Sequence, residues 1–252
     1  LGDVYKRQKQ HRMKNLFLFL FLLVVFTSKA QDNRVSGLNS RQFSKYWKVE
    51  SESPDYKVTF QGDTAEIVSP KGLTLWRKEK MSGKVTIEYD ACVVVESDGD
   101  RLSDLNCFWM ASDPQYPDNL WKREKWRSGI FLNCYSLQLY YLGYGGNHNS
   151  TTRFRRYDGD ESGITNPKAR PAILKEYTDA GHLLKPNHWY HIKITNENNR
   201  VSYYIDGERL VDFRDAEPLR EGWFGFRTTL SRTRITNFSY ECSSQEVATV
   251  PL

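Results

Sequence analysis

The sequence predicts an all-β protein, a β-sandwich of two antiparallel sheets. Three segments alternate apolar and polar side chains with a period of two, the pattern of half-buried strands. They lie at 84–89, 191–195 and 201–205. Turn-forming residues fall between such segments, at 69–72, 97–100, 197–199 and 206–207. Short strands separated by such turns are typical of a sandwich, and only 118–127 has room for a helical turn or two.

The length and composition fit one folded domain. The 252 residues suffice for a single sandwich with a full core, and an aromatic content of 14% excludes a disordered or low-complexity chain. We expect one sandwich domain over 31–242, followed by a tail over 243–252.

The first thirty residues have the pattern of a secretory signal. A basic start at Met13 precedes the apolar run 16–26, and small residues lead to Ala30. The run is about half as long as a membrane-spanning helix requires, so we expect cleavage after Ala30 rather than a retained anchor. Residues 1–12 precede a natural start and are expected to be non-native. The pattern predicts a secreted or periplasmic protein without a membrane attachment after cleavage.

The excess positive charge belongs to this leader. The formal net charge is +5, from 36 Lys and Arg against 31 Asp and Glu. Positions 1–30 hold six of the bases and one of the acids, which leaves 30 of each after cleavage. A mature chain of zero net charge argues against a nucleic-acid partner.

The four cysteines lie in the exported part, at Cys92, Cys107, Cys134 and Cys242. Each falls in an apolar or aromatic segment, so buried free thiols and disulfides are both open, with three possible pairings. Their spacing does not match a metal site, because no two are close and no histidine flanks them at ligand spacing.

The C-terminal third carries an ordered series of strand motifs. An Asn-His-Trp segment leads into the strand 189–194, and the next strand ends in Tyr204-Ile205-Asp206-Gly207. The segments 222–227 and 235–238 then follow as G-x-x-G-F-R and I-x-N-F. This order resembles the concanavalin-A-like jelly rolls of lectins, laminin-G-type modules and polysaccharide-active enzymes. The resemblance implies a jelly-roll β-sandwich and leaves the activity open.

A second resemblance covers most of the mature chain. The segments 100–114 and 141–157 resemble an uncharacterised family of secreted bacterial jelly-roll proteins associated with polysaccharide degradation. The resemblance implies an exported, carbohydrate-active protein and supplies no catalytic residue. We expect a monomer whose partner is a polysaccharide or oligosaccharide.

Two arginines are predicted to project together from one strand. On a strand over 151–157, Arg153 and Arg155 share one face and Phe154 lies on the other. Since Phe154 marks the buried face, both guanidinium groups should point outward. They would bind a carboxylate or sulfate of a ligand, unless acidic side chains of a neighbouring strand balance them.

The stretch 140–157 is the densest in polar and aromatic residues, and a glycine-rich bend lies within it. Tyr144, His148 and Arg153 form a candidate catalytic group for β-elimination from an acidic polysaccharide: arginine neutralises the uronate, histidine removes the C5 proton and tyrosine protonates the leaving oxygen. The candidate substrate-binding residues are Asp104, Trp109, Tyr141, Asn147, Arg155 and Arg227. The same groups without a base would make a lectin-like glycan-binding module.

Other chemistries have weaker support. Glu96, Asp98 and Asp100 superficially resemble the carboxylates of jelly-roll glucanases, but a turn at Gly99 would prevent them from sharing one face. The acidic turns 98–100 and 158–161 could hold a structural calcium ion, and no other cofactor or metal is expected. Two tryptophans, Trp121 and Trp126, lie in a basic loop suited to the rim of a site.

Overall fold

The computed structural model describes residues 35–243, and the leader and most of the proposed tail lie outside them. Fourteen β-strands account for most of this part of the chain. In chain order, β1 to β14 are Val35–Ser36, Trp47–Ser51, Lys57–Gln61, Thr64–Arg77, Met81–Ser82, Lys84–Val93, Leu105–Ser112, Gln138–Gly145, Thr151–Asp158, Lys175–Tyr177, Tyr190–Glu197, Arg200–Ile205, Glu208–Arg214 and Glu221–Ser243.

The strands form two antiparallel layers that share β4 and β14. The first sheet has the order β10-β9-β8-β7-β14-β4-β2 and uses the N-terminal half of β14. The second has the order β13-β12-β11-β6-β14-β4-β3 and uses its C-terminal half. The predicted jelly-roll sandwich is confirmed.

The two long strands bend where they pass between the sheets. In β14 the bend is at Leu230, which has a φ of 48° and lies where the register with β4 shifts. The facing residues of β4 are the Ser69-Pro70-Lys71-Gly72 segment that the sequence predicts as a turn. The structure instead keeps β4 continuous here, because an irregularity in the ladder accommodates a proline that has no amide hydrogen to donate.

The main core fills the space between the sheets. Trp109 of β7 faces Tyr203 of β12 across it, with ring centroids 6.1 Å apart, and Phe154 of β9 packs against Phe213 of β13 at 5.5 Å. A second buried cluster, which includes Phe108 and Tyr157, lies on the other side of the first sheet. The segment between β7 and β8 contributes Leu120, Cys134 and Leu137 to this cluster and so covers part of the outer face of the sheet.

The covering segment is irregular and held by buried charges. Its helical turns lie at Leu120–Arg123, Glu124–Arg127 and Leu132–Ser136, in agreement with the short helix predicted near 118–127. Arg127 is fully buried and its Nη2 donates to Glu50 Oε2 at 2.9 Å. Burial raises the pKa of Glu50 despite the opposing effect of Arg127. Arg127 thus anchors the cover to β2 and is not available as part of a basic patch.

The four cysteines are free thiols. Of the two alternatives that the sequence leaves open, the structure therefore has free thiols, and those of Cys92, Cys107 and Cys134 are buried. Within residues 35–243, no helix is both long and apolar enough to cross a membrane.

Candidate functional site

A row of paired residues crosses the outer face of the first sheet. Arg227 of β14 pairs with Thr74 of β4 on one side and with Asn106 of β7 on the other. The row continues through Gly143 of β8 and ends with Arg153 of β9, which faces Glu176 of β10. Residues far apart in the chain therefore meet along one line across the strands.

A cavity of about 470 Å³ lies over this row, within the size range of oligosaccharide and small-molecule sites. Seven of the residues predicted from the sequence line it: Asp104, Tyr141, Asn147, His148, Arg153, Arg155 and Arg227. The lining residues that sequence reasoning missed include Glu52, Arg101, Asn106, Phe131, Tyr135 and Arg170.

The strand β9 presents its two arginines as its alternation predicts. Arg153 and Arg155 both line the cavity, whereas Phe154 is 1% exposed and lies in the main core. Glu176 of the neighbouring strand balances Arg153, whose Nε donates to it at 2.5 Å. Arg155 donates to the carbonyl of Pro171 instead. Arg153 is thus balanced by an acidic side chain of a neighbouring strand, whereas Arg155 is not.

The lining carries more positive than negative charge, with five arginines against Glu52 and Asp104. Arg101 is paired with Asp104 at 2.9 Å. Among the described residues, no carboxylate oxygen lies within 4.0 Å of Arg155, Arg170 or Arg227. Arg227 has carboxylates beyond that distance, since its charge opposes the rise in the pKa of Glu50 and its Nη2 and Glu52 Oε2 both approach Gly72. The excess of arginines over carboxylates in the lining makes the cavity attractive to an anion.

Arg227 is held rigidly although it has no acidic partner within that distance. It is only 3% exposed, and its Nη1 donates to the carbonyl of Gly129 at 2.6 Å and to Thr74 Oγ1 at 3.4 Å. Its guanidinium also lies 5.6 Å from the ring centroid of Phe131. Both hydrogen bonds use one nitrogen, so the rest of the planar group has no hydrogen-bond partner within 35–243.

Asp104 is an anchor within the wall rather than a free acid. Its Oδ2 accepts from Ser103 Oγ at 2.9 Å, and its Oδ1 accepts from Asn106 Nδ2 at 3.1 Å. With Arg101 as a further partner, the carboxylate is fully engaged. Asn106 is left with a buried side-chain oxygen that has no partner among the described residues.

Tyr141 lies at the centre of the lining and remains protonated. Burial, and then the nearby Asp104, raise its pKa well above the ordinary value, and the opposing effects of Arg227 and Arg155 do not cancel this. Its hydroxyl makes no hydrogen bond within residues 35–243. The neutral phenol can therefore donate to a ligand.

A left-handed turn holds Asn147 and His148 at the edge of the cavity. The φ angles of Asn147, His148 and Asn149 are 51°, 58° and 56°, a run that L-residues adopt at a cost of about 1–2 kcal/mol each. Asn149 holds the turn in place, because its side chain accepts from the Leu184 amide at 2.8 Å and donates to the Leu184 carbonyl at 2.9 Å. His148 is exposed beside the arginines.

Tyr144 does not join His148 and Arg153. It is 2% exposed, and its hydroxyl donates to the carbonyl of Leu183 at 3.3 Å, away from the cavity. The predicted grouping is wrong for this residue, because alternation along β8 places Tyr144 on the inner face and Tyr141 on the outer face.

Trp109 is likewise misplaced by the prediction. It is fully buried in the main core and packs on Tyr140 and Phe154, with ring centroids 5.6 and 5.9 Å away. Its indole is not accessible to a sugar ring, so its assignment to substrate binding is wrong. Trp126 is 44% exposed under Arg123, and neither it nor Trp121 lines the cavity.

The acidic turn before β7 has a structural role. Asp100 Oδ2 accepts from the amides of Glu96 and Ser97 at 2.8 and 3.0 Å, as the predicted turn requires. Glu96 in turn binds Arg232 and Arg234. Across the part of the chain that the structure describes, no three His, Cys, Asp or Glu side chains are grouped as metal ligands would be.

Solved structures share this fold at low sequence identity. A protein of unknown function with a galectin-like fold from Bacillus subtilis has a TM-score of 0.66 at 15% identity, over 84% of this chain and 96% of its own. The carbohydrate-binding module CBM66 from Bacillus subtilis has a TM-score of 0.52 at 16% identity, over 77% of this chain and 94% of its own. The exoplasmic/lumenal domain of VIP36, in a Ca²⁺/Man2-bound form, has a TM-score of 0.57 at 10% identity, over 88% of this chain and 91% of its own.

Sequence comparison gives the family directly. No curated protein matches the chain significantly. A family model described as a domain of unknown function, DUF6250, matches residues 67–238, which contain β5 to β13, most of β4 and β14, and every cavity residue predicted from the sequence. The chain belongs to the DUF6250 family.

Proposed function

We propose that the protein binds an acidic oligosaccharide or polysaccharide in the cavity over β7, β8, β9 and β14. The observation that carries the proposal is the excess of arginines in the lining, of which Arg155, Arg170 and Arg227 have no carboxylate oxygen of the described residues within 4.0 Å. A planar guanidinium group binds a carboxylate or sulfate through two parallel hydrogen bonds.

The remaining lining suits a sugar rather than a bare ion. Phe131, Tyr135 and Tyr141 supply aromatic surface next to the arginines, and Asn147 supplies an amide at the rim. Aromatic rings pack on the apolar faces of sugars, while amides and hydroxyls bind their edges. Two of the structures with this fold are a carbohydrate-binding module and a Man2-bound lumenal domain, which agrees with the proposal.

Binding of an oligogalacturonate, a short uronate oligomer, tests the proposal by calorimetry. Arg155→Gln removes one uncompensated cation and should weaken binding about tenfold, the cost of losing a charge-assisted hydrogen bond. Lys57→Gln removes the same charge from an exposed position on β3 and should bind as the wild type does. Equal affinities of the two variants would contradict the proposal.

A second candidate function, cleavage by β-elimination, is favoured by the presence of His148 and Tyr141 in the same lining. In this reaction the His148 imidazole takes the C5 proton, a C4–C5 double bond forms as the C4–O bond breaks, and Tyr141 gives its proton to the departing oxygen. The raised pKa of Tyr141 suits it to the role of acid and not of base. An arginine on the carboxylate makes the C5 proton more acidic.

Ultraviolet absorbance distinguishes the two functions, because each elimination creates an unsaturated, absorbing sugar end. The lyase predicts that absorbance rises on incubation with polygalacturonate and that His148→Ala abolishes the rise while oligogalacturonate still binds. Binding without any rise would leave the protein a lectin-like module for that glycan.

A further inference from the structure

The second sheet carries a groove on its outer face, on the opposite side of the sandwich from the cavity. Its floor is a row of short hydroxyl side chains that the strand register brings into line: Thr86 of β6 lies opposite Thr195 of β11, which lies opposite Ser202 of β12. Neighbouring strands are about 4.8 Å apart, so this row runs across the strands for roughly 10 Å.

Longer side chains stand on both sides of this floor. On one side, two positions along β11 and β12 from the floor, Glu197 pairs with Arg200, and Arg214 of β13 lies opposite Arg200. On the other side, two positions along the same strands from the floor, Lys193 pairs with Tyr204. The two walls are four residues apart, about 13 Å along the strands, and the groove between them has a volume of about 550 Å³.

The floor has hydrogen-bonding capacity that the protein does not use. Ser202 is 3% exposed, yet its hydroxyl lines the groove and has no hydrogen-bond partner within 35–243. The hydroxyls of Thr86 and Thr195 also have none among these residues. Thr86 and Thr195 are half-buried, and the three open hydroxyls together can pair with a ligand that carries hydroxyl or carboxylate groups of its own.

The walls favour an anionic ligand. The groove is lined by five cationic side chains and one carboxylate, that of Glu197. Four of these cations have an acidic partner: Lys84 pairs with Glu197 at 2.9 Å, Lys193 with Glu88 at 3.1 Å, and Arg200 and Arg209 share Asp212 at 2.6 and 3.2 Å. These pairs are largely exposed and therefore weak, and three carboxylates serve four cations. No carboxylate oxygen of the described residues lies within 4.0 Å of Arg214.

We propose that this groove binds a linear anionic polysaccharide, laid across β6, β11, β12 and β13 as a second site separate from the cavity. Sugar hydroxyls would pair with the floor, and the acidic groups would reach the cations of the walls. A single-stranded nucleic acid fits less well, because it stacks successive bases on several aromatic rings and, among residues 35–243, Tyr204 is the one aromatic side chain that lines the groove.

The proposal is tested with the full chain carrying Arg155→Gln. This substitution weakens glycan binding in the cavity, so that binding in the groove can be followed. Retardation in native gels that contain polygalacturonate, with dextran as the neutral control, gives the apparent affinity for a long chain. Arg214→Gln should weaken it about tenfold, the effect of one charge-assisted hydrogen bond. Thr195→Val keeps the side-chain shape, removes one floor hydroxyl and should weaken it about threefold, the low end for a neutral hydrogen bond.

Lys57→Gln in the same background is the charge-matched control. If Arg214→Gln and Thr195→Val are retarded as strongly as this control, the groove is not a glycan site. If a thymidine oligonucleotide displaces polygalacturonate and Thr195→Val has no effect, the surface binds nucleic acid and the proposal is likewise overturned. Because oligogalacturonate binding in the cavity is measured separately, failure of either site is distinguishable from failure of the other.

Discussion

The ring of Tyr141 lies across the backbone of Gly143, its neighbour two positions along β8. A Cβ at Gly143 would come within 2.8 Å of Tyr141 Cζ. No side chain at position 143 would fit beneath this ring. Glycine at this position therefore allows the Tyr141 phenol to lie where it does in the cavity. The glycine-rich bend noted in the sequence therefore positions a side chain of the cavity lining.

Gly143→Ala should displace the Tyr141 ring, destabilise the fold by about 1–3 kcal/mol and weaken oligogalacturonate binding. Urea unfolding and calorimetry measure the two effects. Gly99→Ala is the matched control, since a Cβ there meets no atom within 4 Å. Unchanged binding by Gly143→Ala would show that the ring position does not matter to the ligand.

Tyr141→Phe and Tyr144→Phe should have opposite effects. Tyr141 uses its hydroxyl for no hydrogen bond within 35–243, so its loss should leave stability unchanged and weaken ligand binding. Tyr144 donates to Leu183, so its loss should cost about 0.5–1.5 kcal/mol of stability and leave binding unchanged. Thermal unfolding and calorimetry on both variants check this, and weaker binding by Tyr144→Phe would place the ligand elsewhere.

His148→Gly should increase stability while removing the proposed base. Relief of the left-handed conformation is worth about 1–2 kcal/mol and outweighs the extra chain entropy of glycine, for a net gain of about 0.5–1 kcal/mol. His148→Ala removes the same imidazole and keeps the strain, so it should show no such gain. The two variants are compared by urea unfolding, and a glycine variant less stable than the alanine variant would refute strain in this turn.

Glu66→Gln should lower stability at neutral pH by about 1 kcal/mol or less, and the difference should vanish in acid. Burial alone would raise the pKa of Glu66, but hydrogen bonds from Arg232 and Arg234 outweigh it and hold the pKa below the ordinary 4.5. Because the folded state lowers this pKa, the stabilisation is present above pH 4.5 and is lost as pH falls through the lowered value.

Thermal unfolding of the wild type and Glu66→Gln between pH 7 and pH 2 measures this convergence. Asp98→Asn is the control, since Asp98 is exposed in a turn and has no ion pair among the described residues. Curves for Glu66→Gln and the wild type that stay parallel down to pH 2 would contradict the assigned role of the carboxylate.

The sequence was most informative where the pattern is local. Alternation within β9 correctly assigned Arg153 and Arg155 to one face and Phe154 to the other. The same rule applied to β8 separates Tyr141 from Tyr144, and the wrong choice of Tyr144 came from nearness in the sequence instead. Trp109 is indistinguishable from a surface tryptophan without knowing that both faces of β7 are covered.

The rest of the cavity depends on pairing between distant segments. Asn106 faces Arg227 only because β7 and β14 are neighbours in register, and no local pattern specifies that register. Arg101 and Arg170 come from irregular segments whose course is set by tertiary packing. The charge excess of the cavity is thus invisible in the composition of residues 31–252, whose bases and acids balance.

The buried free cysteines can be used to measure how often the folded chain opens. Burial raises the pKa of Cys107 to about 12 and that of Cys134 to about 11, so neither thiol forms the reactive thiolate while the sandwich is closed. Iodoacetamide should alkylate them only in molecules that have opened, and the alkylation rate then follows the opening equilibrium.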